Sequence, residues 1–250
     1  MIEQMMTFLR TATRVSWVLP CLMVAQFAFA QPSMYGYDED HDDDAKSALI
    51  ADPLEPFNRA MFKLNDRVYF YVLKPVVRVY RHVPQPARVS VSNFFHNLRA
   101  PIRIANCLLQ LKLVDAGNEL LRFGVNTTFG VAGLFDPARS RLQIRPTDED
   151  LGQTLGRYGV GQGFYVVLPF FGSTTLRDGS AGVVDSIYLD PAVVYVDDPW
   201  VSTGIVFYEN INSFSLDRDT YETVKREALD PYAFVRDAYV QQRQAKVEDR

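Results

Sequence analysis

Between Phe57 and Arg81 the polar residues return at positions 59, 63, 66, 67, 74, 78 and 81. Phe57, Met61, Leu64, Val68, Tyr71, Val72, Val76, Val79 and Tyr80 fill the rest. That period is helical, and it leaves an apolar arc wider than the single stripe a water-exposed helix turns to its core. The narrow polar stripe is basic, with Arg59, Lys63, Arg67, Lys74, Arg78 and Arg81 against Asp66. Two surroundings suit such a helix. One is a lipid interface, with rings and aliphatics at acyl depth and cations at phosphate level. The other is a protein core with snorkelling bases. Pro75 lacks a backbone donor and predicts a kink or break after Lys74.

The same thin polar stripe recurs downstream. Helices are expected over 88–98, over 101–111 with Pro101 in the first turn, and over 113–131. In the last of these, Asp115, Asn118, Glu119, Arg122 and Asn126 form one line surrounded by Leu120, Leu121, Phe123, Val125 and Phe129. Thr147 is a candidate cap, followed by the acidic turn Asp148, Glu149 and Asp150. Then the character changes: Gly152, Gly156, Gly159, Gly161 and Gly163 crowd together, and 164–168 read as a short strand or extended loop. Gly152 with Gly156, and Gly130 with Gly133, have spacings that allow close helix contact. Asp190-Pro191 and Asp198-Pro199 punctuate turns. Helices over 202–210, 217–228 and 230–246 follow, the last capped by Asp230 with Pro231 in its first position. The fold class is mainly α, a bundle of amphipathic helices with a glycine-rich loop region and at most one short extended segment.

Residues 1–30 have the layout of a signal peptide. Arg10 and Arg14 precede an apolar stretch from Val15 that ends at Ala28-Phe-Ala30, so cleavage is expected between Ala30 and Gln31. The stretch is shorter than the roughly 20 residues that span a bilayer. Cys21 is a possible lipid acceptor, although Val18-Leu-Pro20 before it lacks the small residue such a site needs. After cleavage Cys107 alone remains, in an apolar segment that suits an inert core thiol. Residues 31–51 carry Asp38-Glu-Asp-His-Asp-Asp-Asp44 with few aliphatics and read as an acidic flexible linker. The six acids of this run exceed the net charge of −4, and the body beyond it is nearly neutral. Nucleic acid is therefore a poor partner. His41, His82 and His96 have no paired metal-ligand spacing, and no Gly-x-Ser-x-Gly elbow is present. No catalytic residue, metal or cofactor is implied.

Several long motifs occur in order: Asp52-Pro-Leu-Glu-Pro-Phe-Asn-Arg59, Asn93-Phe-Phe-His-Asn-Leu98, Arg122-Phe-Gly-Val-Asn-Thr-Thr-Phe-Gly130, Gly133-Leu-Phe-Asp136-Pro-Ala138 and Asp150-Leu-Gly-Gln-Thr-Leu-Gly156-Arg-Tyr-Gly159-Val-Gly161. With Leu176-Arg177-Asp178 and Asp230-Pro-Tyr-Ala-Phe-Val-Arg-Asp-Ala-Tyr239, they resemble the VacJ/MlaA phospholipid-transport lipoproteins. The resemblance covers 52–243, leaving 244–250 as a charged tail. It implies a ring- or disc-like helical body at the periplasmic face of a Gram-negative outer membrane. A polar channel would take mislocalised phospholipid from the outer leaflet to a periplasmic carrier. It further implies trimeric porins as partners and an ATP-driven inner-membrane complex downstream. Gly172-Ser173 departs from the usual Gly-Pro, a change of turn stiffness rather than chemistry.

Residues and resemblance meet on one mechanism without a covalent step. Apolar faces sit in a leaflet, and polar stripes lower the several kcal/mol that each unsatisfied polar group costs in hydrocarbon. Asn58, Arg59, Glu119, Arg122 and Asn126 are the channel candidates, chosen by stripe position and motif. Asn58, Asn93 and Asn126 have a structural alternative as helix caps or bridges, and Arg177, Asp178 and Asp185 as a buried ion pair. Asp136, Gly156, Gly159 and Gly161 are structural motif candidates. A secreted lipid-modifying hydrolase and a structural envelope protein stay open as other classes.

Overall fold

A computed structural model describes residues 50–217 and 219–248. Cys21, Ala30, Gln31 and nearly all of the acidic linker lie outside them. Leu54 precedes α1, Glu55–Val68, which runs through a π-helical turn, Tyr69–Leu73, into α2, Lys74–Tyr80. Three helices follow: α3, Gln85–Leu98; α4, Ala100–Leu109; and α5, Leu113–Thr128. After the short α6, Pro137–Ser140, comes α7, Leu151–Arg157. Strands β1, Tyr165–Leu168, and β2, Gly172–Thr175, lead into α8, Leu176–Leu189. The chain ends with α9, Pro191–Val194, α10, Pro199–Leu216, α11, Thr220–Glu227, and α12, Pro231–Val247.

The irregularity around Pro75 lies before Lys74, not after it. The Lys74 N–H reaches back to the Tyr69 carbonyl, five residues away, and the helix then continues regularly. A proline deprives the carbonyl one turn upstream of its donor, so the wider π turn forms on that side. The capping prediction also moves. Asp150, not Thr147, caps α7: its Oδ1 accepts the Gln153 N–H at 2.8 Å. Thr147 donates its N–H to Glu119 instead. Asp230 caps α12 with Pro231 in the first turn, as its sequence position predicts.

The extended segment does not stand alone. Gly172–Thr175 pairs antiparallel with it in the register Tyr165 to Thr175 and Leu168 to Gly172. Gly172 has φ of +78°, which closes this tight hairpin at little cost. Ser173, where the resembling family carries proline, places its hydroxyl 2.6 Å from the Tyr165 hydroxyl. Tyr165 and Val167 pack with Tyr232, Tyr239 and Val240 of α12 and with Ile50, Met61 and Phe62. A second apolar cluster joins Leu73 and Val77 to Ile211 and Phe214 of α10. Helix α12 extends to Val247, so the boundary drawn at 243 falls inside it.

Candidate functional site

The interior is unusually polar and the surface unusually apolar. Glu119 is fully buried, and Arg103, Arg122, Arg177, Arg243, Asn58, Asn106 and Asn126 are buried with it. Tyr71, Phe129, Tyr195 and Trp200 meanwhile expose 80%, 80%, 82% and 83% of their surface. Leu111, Leu113, Val114, Val131 and Tyr188 are exposed with them. Buried charges and bare aliphatics invert the distribution of a water-soluble domain.

Helix α5 carries the densest polar stripe, at positions four and three residues apart, so Glu119, Arg122 and Asn126 share one face. Glu119 accepts from Arg103 Nε of α4 at 2.8 Å and from the Thr147 N–H at 2.8 Å, and Arg122 Nε stands at 3.5 Å. Arg122 Nη2 donates to Asp136 at 2.9 Å and Nη1 to the Ile144 carbonyl. Asn126 donates to Asp136 at 3.0 Å and accepts the Ala138 N–H at 3.1 Å. Burial and Arg103 together push His96, beside this cluster, down to about 4, so it is neutral at physiological pH. Burial would raise Asp136, but Arg122 outweighs it and holds the carboxyl below its ordinary value. The stripe therefore binds α5 to α4 and to the 136–147 segment.

Asn58 and Arg59 lie elsewhere. Asn58 is fully buried and laces α1 to β1: it donates to Asp52 at 2.7 Å and to the Tyr165 carbonyl at 3.0 Å, and accepts the Val167 N–H at 2.8 Å. Arg59 lies on the surface between Glu55 and Asp230, its guanidinium 4.4 Å above the Tyr232 ring. The rest of its stripe splits. Lys74 and Arg81 pair with Glu222 and Asp219, whereas Lys63, Arg67 and Arg78 are exposed. Asn93 makes one long contact, 3.4 Å to the Leu134 carbonyl.

A third polar centre joins α7, α8 and α12. Arg243 donates to Asp150 at 2.6 and 2.9 Å and to Asp178 at 2.9 Å, and Asp178 also takes Arg177 at 2.9 Å and the Tyr239 hydroxyl at 3.0 Å. Burial works against both carboxylates, yet Arg243 holds each below its ordinary value. Arg177 and Asp178 thus form a buried pair, while Asp185 is outside it, bonded to Asn106 and the Leu151 N–H. A Cβ on Gly152 would come within 2.7 Å of Arg243 and Asp178, and one on Gly156 within 2.7 Å of Arg177 and Val247. These glycines admit the ion cluster and the last helix. Gly159, with φ of +85°, serves a turn, and nothing in the structure explains glycine at 161.

The sequence reading missed Arg103, Arg243, and a largely buried triad in which Arg99 bonds Asp190 at 3.0 Å and Glu209 at 2.6 Å. The available signal was a lone charge inside an apolar run, as in Ile102-Arg-Ile104. Cys107 is buried, and burial raises its thiol pKa. Among the described residues, no group of three His, Cys, Asp or Glu could hold a metal, and no helix is long and apolar enough to cross a membrane.

Residues 50–246 match the family of MlaA lipoproteins. The intermembrane phospholipid transport system lipoprotein MlaA of Escherichia coli strain K12 is 40% identical over 196 residues, covering 76% of each chain. The Haemophilus influenzae protein of the same description is 36% identical over 207 residues, covering 79% of this chain and 80% of its own. A solved structure from work on the structural basis for maintenance of bacterial outer membrane lipid asymmetry superposes with a TM-score of 0.70. It is 37% identical and covers 79% of this chain and 99% of the solved one.

Proposed function

The chain belongs to the MlaA lipoprotein family, and from that premise we propose that it transports phospholipid at the outer membrane, removing mislocalised lipid from the outer leaflet. The carrying observation is the inverted surface. Exposed Tyr71, Phe129, Tyr195, Trp200 and the leucines around 108–121 favour a seat in one leaflet, each Å² of apolar area taken from water contributing about 25 cal/mol. No covalent step is needed. Polar side chains in the interior offer a headgroup what hydrocarbon cannot, and the acyl chains stay in an apolar medium.

In this reading the body lies at the periplasmic face and hands its lipid to a periplasmic carrier, with trimeric porins as neighbours. Glu119, Arg122 and Asn126 of α5, and Asn58 on α1, form the scaffold behind the passage rather than contacting lipid, since they are buried and their polar atoms already hold neighbouring segments. The exposed Lys63, Arg67 and Arg78 suit phosphates at the interface, whereas Arg59 is already held by Glu55 and Asp230.

The test is the phospholipid exposed on the outer leaflet of a strain lacking the protein, against the same strain complemented. A rise reversed by complementation supports the proposal. No rise, with the protein expressed in the envelope, overturns it. Release of fatty acid or lysophospholipid by the purified protein would favour the hydrolase.

A further inference from the structure

The centre around Arg243 contains an imbalance of charge. Arg177 and Arg243 are matched by Asp178 and Asp150. Asp185, 2% exposed, is left over: it accepts from Asn106 Nδ2 at 3.2 Å and the Leu151 N–H at 2.8 Å, and no cation among the described residues pairs with it. The other deeply buried acids all have one: Glu119 has Arg103, Glu149 has Lys112 and Asp190 has Arg99. A buried carboxylate without a counter-charge is costly, and it recovers that cost from a proton or from a cation brought to it. Consistent with this, burial raises the Asp185 carboxyl to about 6, so near neutral pH it is ionised and short of a partner.

Beside Asp185 is a crevice of about 40 Å³. Leu168 and Phe171 give it an apolar wall, and Ser173, Thr174 and Tyr239 supply hydroxyls. One water needs about 10–15 Å³ on this measure, so the space takes an amine with its adjoining methylene groups but not a phosphate with its esters. We propose that Asp185 is the counter-ion for a primary ammonium group, the amine of an aminophospholipid headgroup whose tip enters this crevice. The inference rests on the transport reading above and adds a headgroup preference to it. An ethanolamine headgroup brings three N–H donors to one carboxylate and the surrounding hydroxyls. A choline headgroup is bulkier and has no N–H, and a glycerol headgroup carries no cation.

The experiment exposes the full-length protein in detergent to mixed micelles of equimolar phosphatidylethanolamine, phosphatidylcholine and phosphatidylglycerol, repurifies it, and quantifies bound lipid by class. A charge-assisted hydrogen bond predicts about tenfold enrichment of phosphatidylethanolamine over the other two. D185N is expected to bind the same total lipid with the enrichment gone. Equal binding of all three by the natural protein, or enrichment unchanged in folded D185N, overturns the headgroup assignment and leaves transport untouched. Absence of any bound lipid overturns both.

Should D185N not fold, titration of the natural protein from pH 8 to 5 decides. The groups facing Asp185 are Asp150 of α7, Asp178 of α8, Arg243 and Tyr239 of α12, and the neutral Asn106 of α4. Asp150 and Asp178 are held low by Arg243 and Tyr239 is raised by burial, so Asp185 is the group that changes charge. Enrichment that fades as pH falls below about 6 supports the assignment, and enrichment independent of pH overturns it.

Discussion

Replacing Glu119 with glutamine separates a scaffold from a lipid-facing wall. The substitution keeps shape and an acceptor for the Thr147 N–H, but removes the charge that faces Arg103 Nε at 2.8 Å and Arg122 Nε at 3.5 Å. Arg122 retains Asp136 at 2.9 Å, so the uncompensated guanidinium is that of Arg103, itself buried. Breaking a buried pair from one side costs about 3–5 kcal/mol. For a chain of this size each kcal/mol lowers the melting temperature by roughly 2–4 °C, so Glu119→Gln should melt about 10 °C lower. The assay is thermal unfolding of detergent-purified protein followed by helical circular dichroism, with outer-leaflet lipid measured in parallel. Adding Arg103→Met removes the stranded charge and should recover at least half the loss. A melting temperature unchanged to within about 2 °C, with transport abolished, would refute the scaffold reasoning and put Glu119 in contact with lipid.

Other perturbations probe the remaining contacts. Asn58→Ala orphans the Tyr165 carbonyl and the Val167 N–H, at about 1–3 kcal/mol each, and should lower the urea midpoint accordingly. Gly156→Val forces side-chain atoms into Arg177 and Val247, and should cost about 1–3 kcal/mol and make the last helix sensitive to protease. Trp200→Glu replaces an exposed ring on α10 and should shift protein from the membrane pellet to the wash, by an amount set by roughly 2–3 kcal/mol of lost apolar burial. Two groups give opposite slopes in stability against pH. His96, about 4 folded against 6.5, binds its proton more readily when unfolded, so its contribution falls as pH drops from 6.5 to 4. Asp185, about 6 folded against 3.8, binds its proton more readily when folded, so its contribution falls as pH rises from 3.8 to 6. His96→Asn and Asp185→Asn should each remove one slope from a series of denaturation curves.

Periodicity located the helices because it reports how residues on one helix share a face. It says little about what that face meets. Glu119, Arg122 and Asn126 were legible as one stripe, but their partners Asp136, Ala138, Ile144 and Thr147 come from a segment whose single short helix, α6, is too brief to show a period. The basic stripe suits phosphates and snorkelling core bases equally, and Lys74 and Arg81 take neither place: they pair with Glu222 and Asp219, far along the chain. Strand β2 was invisible because Gly172-Ser-Thr-Thr175 has no apolar alternation, and its strandedness comes from pairing with β1. Thr147 and Asp150 are both good caps, and only where the helix begins decides between them. Arg243 carries no signal of its own, standing among Gln241, Gln242 and Gln244 near a helix end.

The lacing of Asp52 to the last helix has a consequence for biogenesis. Tyr232, 180 positions later, donates its hydroxyl to Asp52, and Arg236 approaches the same carboxylate. Residues near the start of the body therefore wait for nearly the whole chain before they can be paired, and contacts so distant in sequence form late. The rings and leucines that even the complete fold leaves exposed add to the surface available for aggregation on the way. A truncation that removes only α12 leaves Asp52 without Tyr232 and Arg236, and should be degraded rather than assembled, as pulse-chase of the truncated chain would show.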